Sequence, residues 1–172
     1  MTIDAKKVSG TFLSLKKVPD TLRQATLCFP VRGNEVLLAM KKRGFGVNRW
    51  NGAGGKLKDN ETIEEAMVRE TEEEIMVTPT NYHQVAQLDF YFAEKPEWNQ
   101  KVFVYFASAW RGTPTETEEM APQWFNQKTL PLDKMWSDDQ YWLPRVLAGE
   151  KLEAEFLFGE NDILLDHLVR GR

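Results

Sequence analysis

The chain has 172 residues, of which 42% are hydrophobic, enough for one domain with a single core and too few for two. Its net charge of −4 argues against a surface for long nucleic acid, which needs excess positive charge. Its lone cysteine, Cys28, cannot form an internal disulfide, no apolar stretch is long enough to span a membrane, and no heptad repeat demands a partner, so we expect a monomeric cytoplasmic protein without membrane contact.

The first segment, residues 1–20, is rich in lysine, lacks hydrophobic periodicity and ends in a Val-Pro-Asp break. These features predict an amino-terminal extension, flexible where nothing packs against it. A single folded domain is then expected over residues 21–172.

This domain opens with two apolar runs, residues 25–31 and 36–40, separated by the turn-forming sequence Arg-Gly-Asn-Glu. The pattern predicts two strands joined by a tight turn. The glycine-rich residues 52–55 follow, and a backbone so free of side chains can approach a ligand closely and offer it a carbonyl oxygen.

Glutamates crowd residues 61–74, where Thr62 and Glu65 form a capping box that predicts a helix over residues 62–75. On this helix Glu70 and Glu74 lie one turn apart with Glu73 beside them, so we expect three converging carboxylates. Oxygen ligands without nearby His or Cys suit Mg²⁺ or Mn²⁺ better than Zn²⁺. The alternative, favoured by the helix alone, is a solvated acidic face.

The carboxyl-terminal half alternates between strand and helix patterns. Residues 85–92 and 101–110 predict a second strand pair, residues 123–125 a short strand, and residues 138–147 a helix that Pro144 kinks or delays. Residues 152–158 alternate as a strand does and are followed by an apolar run from residue 163. Many strands with two helices and no internal repeat predict an α+β layered domain.

The spacing of the glutamates also resembles the motif of a known family. The chain resembles the Nudix box at six positions of fixed identity and spacing: Gly55, Glu61, Arg69, Glu70, Glu73 and Glu74. This resemblance implies a hydrolase of nucleoside diphosphates linked to another group, folded as an α/β/α sandwich around a mixed β-sheet. Met76 stands where the family usually has Gly, so we expect it to remove an easy left-handed exit from the helix.

A longer resemblance covers residues 24–170. The segments Met-Lys-Lys-Arg-Gly-Phe-Gly at 40–46, Arg-Trp-Asn-Gly at 49–52 and Lys-Met-Trp-Ser-Asp-Asp at 134–139 closely resemble the animal-type 8-oxo-dGTP diphosphatases, a MutT-like Nudix branch. That branch implies Mg²⁺-dependent hydrolysis of oxidised purine nucleoside triphosphates such as 8-oxo-dGTP and 2-oxo-dATP. The monophosphate and pyrophosphate are the implied products, and a small nucleotide is the implied partner.

The resemblance also implies the residues of the catalytic end. Metal-site oxygens are expected from the Gly54 carbonyl, Glu70, Glu73, Glu74 and Glu119, with Glu118 as the alternative to Glu119. Either Glu73 or Glu74 would accept the proton of the attacking water. Arg69 would orient the glutamates, and Lys41, with Lys42 as a second candidate, would contact phosphate.

For the base, the same resemblance implies stacking on Trp136 and hydrogen bonds that select the purine. The other pocket residues it implies are Thr26, Phe45, Asn51, Phe90, Phe92, Asp138 and Asp139. Two adjacent buried carboxylates disfavour double ionisation, so one can donate a proton while the other accepts. Spacing alone would instead make the two aspartates a helix cap, and bland core packing would explain Trp136 and Phe45.

One departure touches this pocket, and two other functions remain open. Trp98-Asn99 stands where the branch has an aliphatic residue and Met, so we expect Asn99 to alter which purine fits best. A Nudix enzyme acting on dinucleoside polyphosphates or nucleotide sugars would share the box without needing the aspartate pair. A non-catalytic Nudix-like binding module would be expected to have lost box acids.

Overall fold

The computed structural model describes residues 22–172, so the predicted extension over residues 1–20 lies outside the described residues. This part of the chain forms eight strands and two α-helices, and none of its helices is long and apolar enough to cross a membrane. The elements are β1 (Arg23–Arg32), β2 (Glu35–Lys41), β3 (Trp50–Asn51), α1 (Ile63–Ile75), β4 (Thr78–Phe92), β5 (Gln100–Arg111), β6 (Met120–Asn126), α2 (Asp139–Leu147), β7 (Leu152–Phe158) and β8 (Leu164–Gly171).

The strands form one mixed sheet in the order β3-β2-β1-β5-β4-β7-β8, with β6 pairing along β2. The pairs β1–β5 and β4–β7 are parallel, and the others are antiparallel. The predicted tight turn joins β1 and β2, although only its two flanking residue pairs are in register. Most of β1 pairs with β5 instead, so this strand lies in the middle of the sheet.

The two helices cover opposite faces of the sheet, as neighbouring residues of β1 show. Successive side chains of a strand point to opposite faces. Cys28 belongs to the cluster that contains Met67 of α1, whereas Phe29 belongs to the larger core that contains Trp142 of α2. The expected α/β/α arrangement around a mixed sheet is therefore confirmed.

Helix α1 begins as predicted, because the Thr62 hydroxyl accepts from Glu65 N–H and the Glu65 carboxylate accepts from Thr62 N–H. Its end differs from the expectation. Met76 does not remove the left-handed exit but adopts it, with φ 63° and ψ 27°, and donates its N–H to Glu72 O. Its side chain is 53% exposed, so no neighbouring residue opposes this conformation and only the intrinsic cost of a left-handed backbone remains, while Val77 directly after it is fully buried.

Helix α2 runs through Pro144 to Leu147, so the proline neither delays its start nor ends it. Asp138 occupies the position before the helix, but its backbone is helical and its side chain makes no capping hydrogen bond. The cap interpretation of Asp138 is therefore wrong. Its carboxylate faces the protein interior, where it is 2% exposed.

Candidate active site

A cavity of about 680 Å³ opens beside the glycine-rich turn and extends to the start of α2. It gathers residues from both ends of the predicted site. The predicted residues that line it are Thr26, Lys41, Phe45, Asn51, Gly54, Glu70, Glu74, Phe90, Phe92, Glu119, Trp136, Asp138 and Asp139.

The glycine-rich turn is pressed against β1 and α1. The Thr26 N–H donates to Gly55 O at 2.9 Å, and a Cβ atom at Gly54 would lie 1.8 Å from Thr26 O. A Cβ atom at Gly55 would lie 2.6 Å from the carboxyl carbon of Glu70. Gly54 therefore requires glycine, because a side chain there would meet the backbone of β1, whereas a side chain at Gly55 would displace the Glu70 carboxylate.

Two box glutamates face the cavity from α1. The Glu74 carboxylate accepts from Gly54 N–H at 3.0 Å and is buried, which raises its pKa above the ordinary value despite the attraction of Lys41. Glu70 packs on Gly55 and accepts from Arg69 at 2.8 Å. Both carboxylates thus line the same cavity, as their one-turn spacing on the helix predicted.

Glu73 is the exception. Its side chain is 53% exposed, lies 3.2 Å from Arg69 and 3.9 Å from Lys58, and does not line the cavity. The expectation that three carboxylates converge is therefore wrong for Glu73, whose position on α1 turns it toward solvent.

A lysine marks the point where a cation fits. Lys41 Nζ lies 3.4 Å from Glu74 Oε1 and 3.5 Å from Glu119 Oε2, so its ammonium joins carboxylates that are far apart in sequence. Within residues 22–172 no three His, Cys, Asp or Glu side chains form a ready-made metal cluster. The oxygen donors around this ammonium nevertheless suit a hard divalent cation. Of the two acids considered for this position, Glu119 lines the cavity and Glu118 does not.

Arg69 links two of the box glutamates from a position outside the cavity. Its guanidinium donates to both carboxylate oxygens of Glu61, at 2.5 and 3.0 Å, and to Glu70. This bidentate bond lowers the pKa of Glu61 to about 2. Arg69 is outside the cavity lining, in agreement with the predicted orienting role.

The cavity also contains cations that the sequence argument overlooked. Arg43 donates through Nε to Glu119 at 2.7 Å, which lowers the pKa of that carboxyl, and both residues line the cavity. Lys56 lines it too, whereas Lys42 turns away to Glu116 at 2.8 Å. Both residues could have been found from their positions in the sequence, because Arg43 ends the basic run and Lys56 directly follows the glycine turn.

At the other end, Asp138 and Asp139 are buried side by side, 2% and 3% exposed. Burial raises the pKa of both carboxyls, and the charge of Asp138 raises that of Asp139 further. Trp142 Nε1 donates to Asp138 Oδ2 at 2.9 Å. Asp139 Oδ2 has no hydrogen-bond partner among residues 22–172. The pair therefore has the unequal environments that let one carboxyl keep a proton.

Two further polar residues line the cavity, Thr26 and Asn51. The Thr26 hydroxyl is buried without a partner in the described part of the chain. Asn51 Oδ1 accepts from Gly52 N–H at 2.8 Å, which leaves its amide hydrogens to donate into the cavity.

Aromatic rings form one wall of the cavity, which is called the aromatic wall below. Phe45 stacks on Trp136 with ring centroids 5.1 Å apart, and Phe92 meets both rings edge-on. Phe45 is 46% exposed and covers part of the indole on which the purine was expected to stack, so that role of Trp136 stays a prediction. Phe158 of β7 also lines this wall. It belongs to the hydrophobic core as well, and the strand pattern of the sequence did not indicate that it would line the cavity.

Asn99 does not line the cavity, so its expected effect on the choice of purine stays a prediction. Its Oδ1 accepts from Phe92 N–H at 2.7 Å, and its side chain is buried outside the cavity lining. Trp98 instead packs edge-on against Phe45 at 4.9 Å. Trp98 and Asn99 thus support the aromatic wall from outside the cavity.

The chain is similar to known proteins over most of its length. The chain is 42% identical over 150 residues to the oxidized purine nucleoside triphosphate hydrolase of Mus musculus, covering 87% of this chain and 96% of that protein. It is 39% identical over 147 residues to the protein of the same description from Danio rerio, covering 86% and 94%.

Among solved structures, the MutT protein of Bacillus halodurans superposes with a TM-score of 0.75 at 25% identity, covering 86% of this chain and 97% of that one. The NUDIX domain family model matches residues 21–146, which include every box residue and the aspartate pair. The chain belongs to the NUDIX family.

Proposed function

We propose that this protein hydrolyses oxidised purine nucleoside triphosphates, of the 8-oxo-dGTP and 2-oxo-dATP type, to the monophosphate and pyrophosphate. The observation that carries the proposal is the buried Asp138-Asp139 pair in the same cavity as Glu70 and Glu74. One end can hold a triphosphate and the other can select a base. The descriptions of the mouse and zebrafish relatives support this substrate class.

Nudix hydrolases generally use divalent metal ions, and the oxygen donors here favour Mg²⁺, with Mn²⁺ as a substitute. We assign the ligands to Glu70, Glu74, Glu119 and the carbonyl of Gly54. When bound, the ion neutralises phosphate charge and lowers the pKa of water. Lys41 lines the same end of the cavity, so we assign its ammonium to phosphate contact when the ion occupies the carboxylates.

The chain's own groups position the phosphates and move the proton. Lys41, Arg43 and Lys56 bring three positive charges to the carboxylate end of the cavity. Glu74 is our choice for accepting the proton of the attacking water, because it faces the cavity and Glu73 does not. Gly54 N–H, hydrogen-bonded to Glu74, keeps that carboxylate in place.

At the base end, the proton shared by the aspartates decides which edge is read. With Asp139 protonated and Asp138 ionised, the pair donates one hydrogen bond and accepts another, which matches the N–H and carbonyl groups of an oxidised guanine. Moving the proton would suit a 2-oxo-adenine edge. The Asn51 amide hydrogens supply a further donor, and the aromatic wall excludes water.

A product assay with Mg²⁺ on 8-oxo-dGTP, 2-oxo-dATP, dGTP and a nucleotide sugar tests the proposal. We expect turnover of the two oxidised nucleotides well above that of dGTP. Turnover of the nucleotide sugar alone would sink the proposal in favour of another Nudix pyrophosphohydrolase, and binding without any turnover would indicate a non-catalytic module. We further propose that the protein acts as a monomer in the cytoplasm, where its free, buried Cys28 is compatible with reducing conditions.

A further inference from the structure

Arg49 makes two contacts that no role assigned so far explains. Its guanidinium carbon lies 4.0 Å from the ring centroid of Trp136, and its Nη2 lies 3.2 Å from Asp162 Oδ2. Both charged side chains are about one-third exposed, at 31% and 30%. Arg49 itself does not line the cavity, so it reaches the substrate only through Trp136.

The backbone of Arg49 is held as firmly as its side chain. Lys41 N–H donates to Arg49 O at 3.0 Å, and Arg49 N–H donates to Gly46 O at 3.2 Å. These bonds fix the arginine between the end of β2 and the loop that carries Phe45.

Its ion-pair partner lies in an unusual turn. Asn161 and Asp162, between β7 and β8, both have left-handed backbones, with φ of 55° and 56°. Such consecutive conformations are costly without glycine, so the surrounding contacts must hold them. Strand β7 ends at Phe158, a wall residue that meets Trp136 edge-on at 5.7 Å. The Arg49–Asp162 ion pair therefore joins two segments that each carry part of the wall.

We propose that Arg49, held by Asp162, is a positioning residue for base selection: it fixes the Trp136 indole and places a positive charge beside the Asp138-Asp139 pair without touching the nucleotide. The inference rests on the proposed function and adds to it a determinant outside the cavity. A guanidinium over an indole restricts the tilt of the ring. The indole in turn sets where a purine lies relative to the aspartates.

The charge of Arg49 acts on the same pair. Asp138 faces Trp142 Nε1–H, the carboxyl of Asp139 and the field of Arg49, and both Trp142 and Arg49 oppose the rise in its pKa that burial causes. Removing Arg49 would raise the pKa of Asp138 further. As pH falls, the state with one ionised and one protonated carboxyl would then be lost at a higher pH than in the wild-type protein.

The test compares four variants of the full chain. Arg49→Gln removes both stacking and charge, Arg49→Lys keeps the charge, and Asp162→Asn removes only the tether. The matched control is Arg32→Gln, because Arg32 also covers an indole, that of Trp124 at 3.8 Å, and pairs with Glu35 at 3.1 Å, away from the cavity.

Two measurements are made on each variant. The first is kcat and KM for 8-oxo-dGTP and 2-oxo-dATP across pH. The second is the affinity for 8-oxo-dGMP without metal, measured by calorimetry, which needs no turnover. Thermal unfolding confirms that each variant is folded.

We expect Arg49→Gln to raise KM and weaken 8-oxo-dGMP binding by about tenfold, to leave kcat within about twofold, and to move the acid limb of kcat/KM to higher pH. Arg49→Lys should keep the wild-type acid limb and recover part of the affinity. Asp162→Asn should weaken affinity without moving the acid limb upward, and Arg32→Gln should match wild type.

Wild-type affinity and an unmoved acid limb in Arg49→Gln would overturn the inference while leaving the proposed function intact. An equal loss in Arg32→Gln would overturn it as well, because the effect would then be general destabilisation. Wild-type protein that neither hydrolyses the oxidised nucleotides nor binds 8-oxo-dGMP would instead refute the proposed function, and this inference with it.

Discussion

Trp142 donates its indole N–H to Asp138, while the neighbouring Asp139 has a buried oxygen without a partner in residues 22–172. A hydrogen bond to a carboxylate favours its charged form, so the donor stabilises ionised Asp138 and leaves the proton to Asp139. The difference between two adjacent aspartates thus arises from a tryptophan one helical turn further along.

The first prediction concerns stability and pH. Because the folded state raises the pKa of Asp139, it binds that proton more tightly than the unfolded chain does. The resulting stability is complete below the unfolded pKa, about 3.9, and is lost as pH rises through the folded pKa. Asp139→Asn should therefore raise the unfolding temperature relative to wild type increasingly as pH rises. Thermal unfolding across pH measures this, and the exposed Asp133→Asn should show no such trend.

The second prediction separates the two adjacent glutamates. Glu74→Gln should lower kcat by at least about 10²-fold with nucleotide binding retained, because the proton acceptor and a metal ligand are lost together. Glu73→Gln, on the solvent side of α1, should lower it by less than about tenfold. Steady-state kinetics of both variants measures the two losses in kcat, and the affinity for 8-oxo-dGMP shows whether nucleotide binding is retained. The reverse order of effects would refute our assignment of the base.

Asn99 supplies a third prediction, about stability. Asn99→Leu leaves the Phe92 N–H buried without an acceptor and should lower the free energy of unfolding by about 1–3 kcal/mol. Asn99→Asp keeps the acceptor oxygen and should cost less, provided that both variants are compared at a pH low enough to keep the new, buried carboxyl neutral. Urea unfolding of both variants measures the difference. Equal losses would mean that packing, rather than this hydrogen bond, accounts for the effect.

The fourth prediction concerns the end of α1. A left-handed backbone costs a non-glycine residue roughly 1–2 kcal/mol, and glycine adds about 0.5–1 kcal/mol of unfolded-state entropy. Met76→Gly should thus stabilise the protein by about 0.5–1 kcal/mol, which urea unfolding can resolve. Met76→Ala retains the left-handed cost and should give no gain, since the Met76 side chain is exposed.

Features governed by local geometry were predictable from sequence. The Thr62 capping box and the one-turn spacing of Glu70 and Glu74 depend only on helix periodicity, and both are confirmed. The same local rules failed for Asp138, where they favour a cap. Its burial results from α2 packing on the sheet, which no neighbour in sequence indicates.

Features that depend on which partner a side chain finds, near or far in sequence, were not predictable. Glu73 is drawn away by Arg69 and Lys58, and Arg43 reaches Glu119 across 76 residues. Asn99 serves a backbone N–H seven residues earlier in the chain. In each case the partner, rather than the residue type, decides where the side chain lies.

The backbone of β1 has a consequence for what the protein can become. Thr26 touches the glycine turn through its N–H and its carbonyl, and it also lines the cavity. The glycine turn is thereby fixed to β1 by main-chain contacts, with no side chain between them. Point substitutions can change the side chains that line the cavity, but moving the glycine turn away from Thr26 would require moving β1 itself.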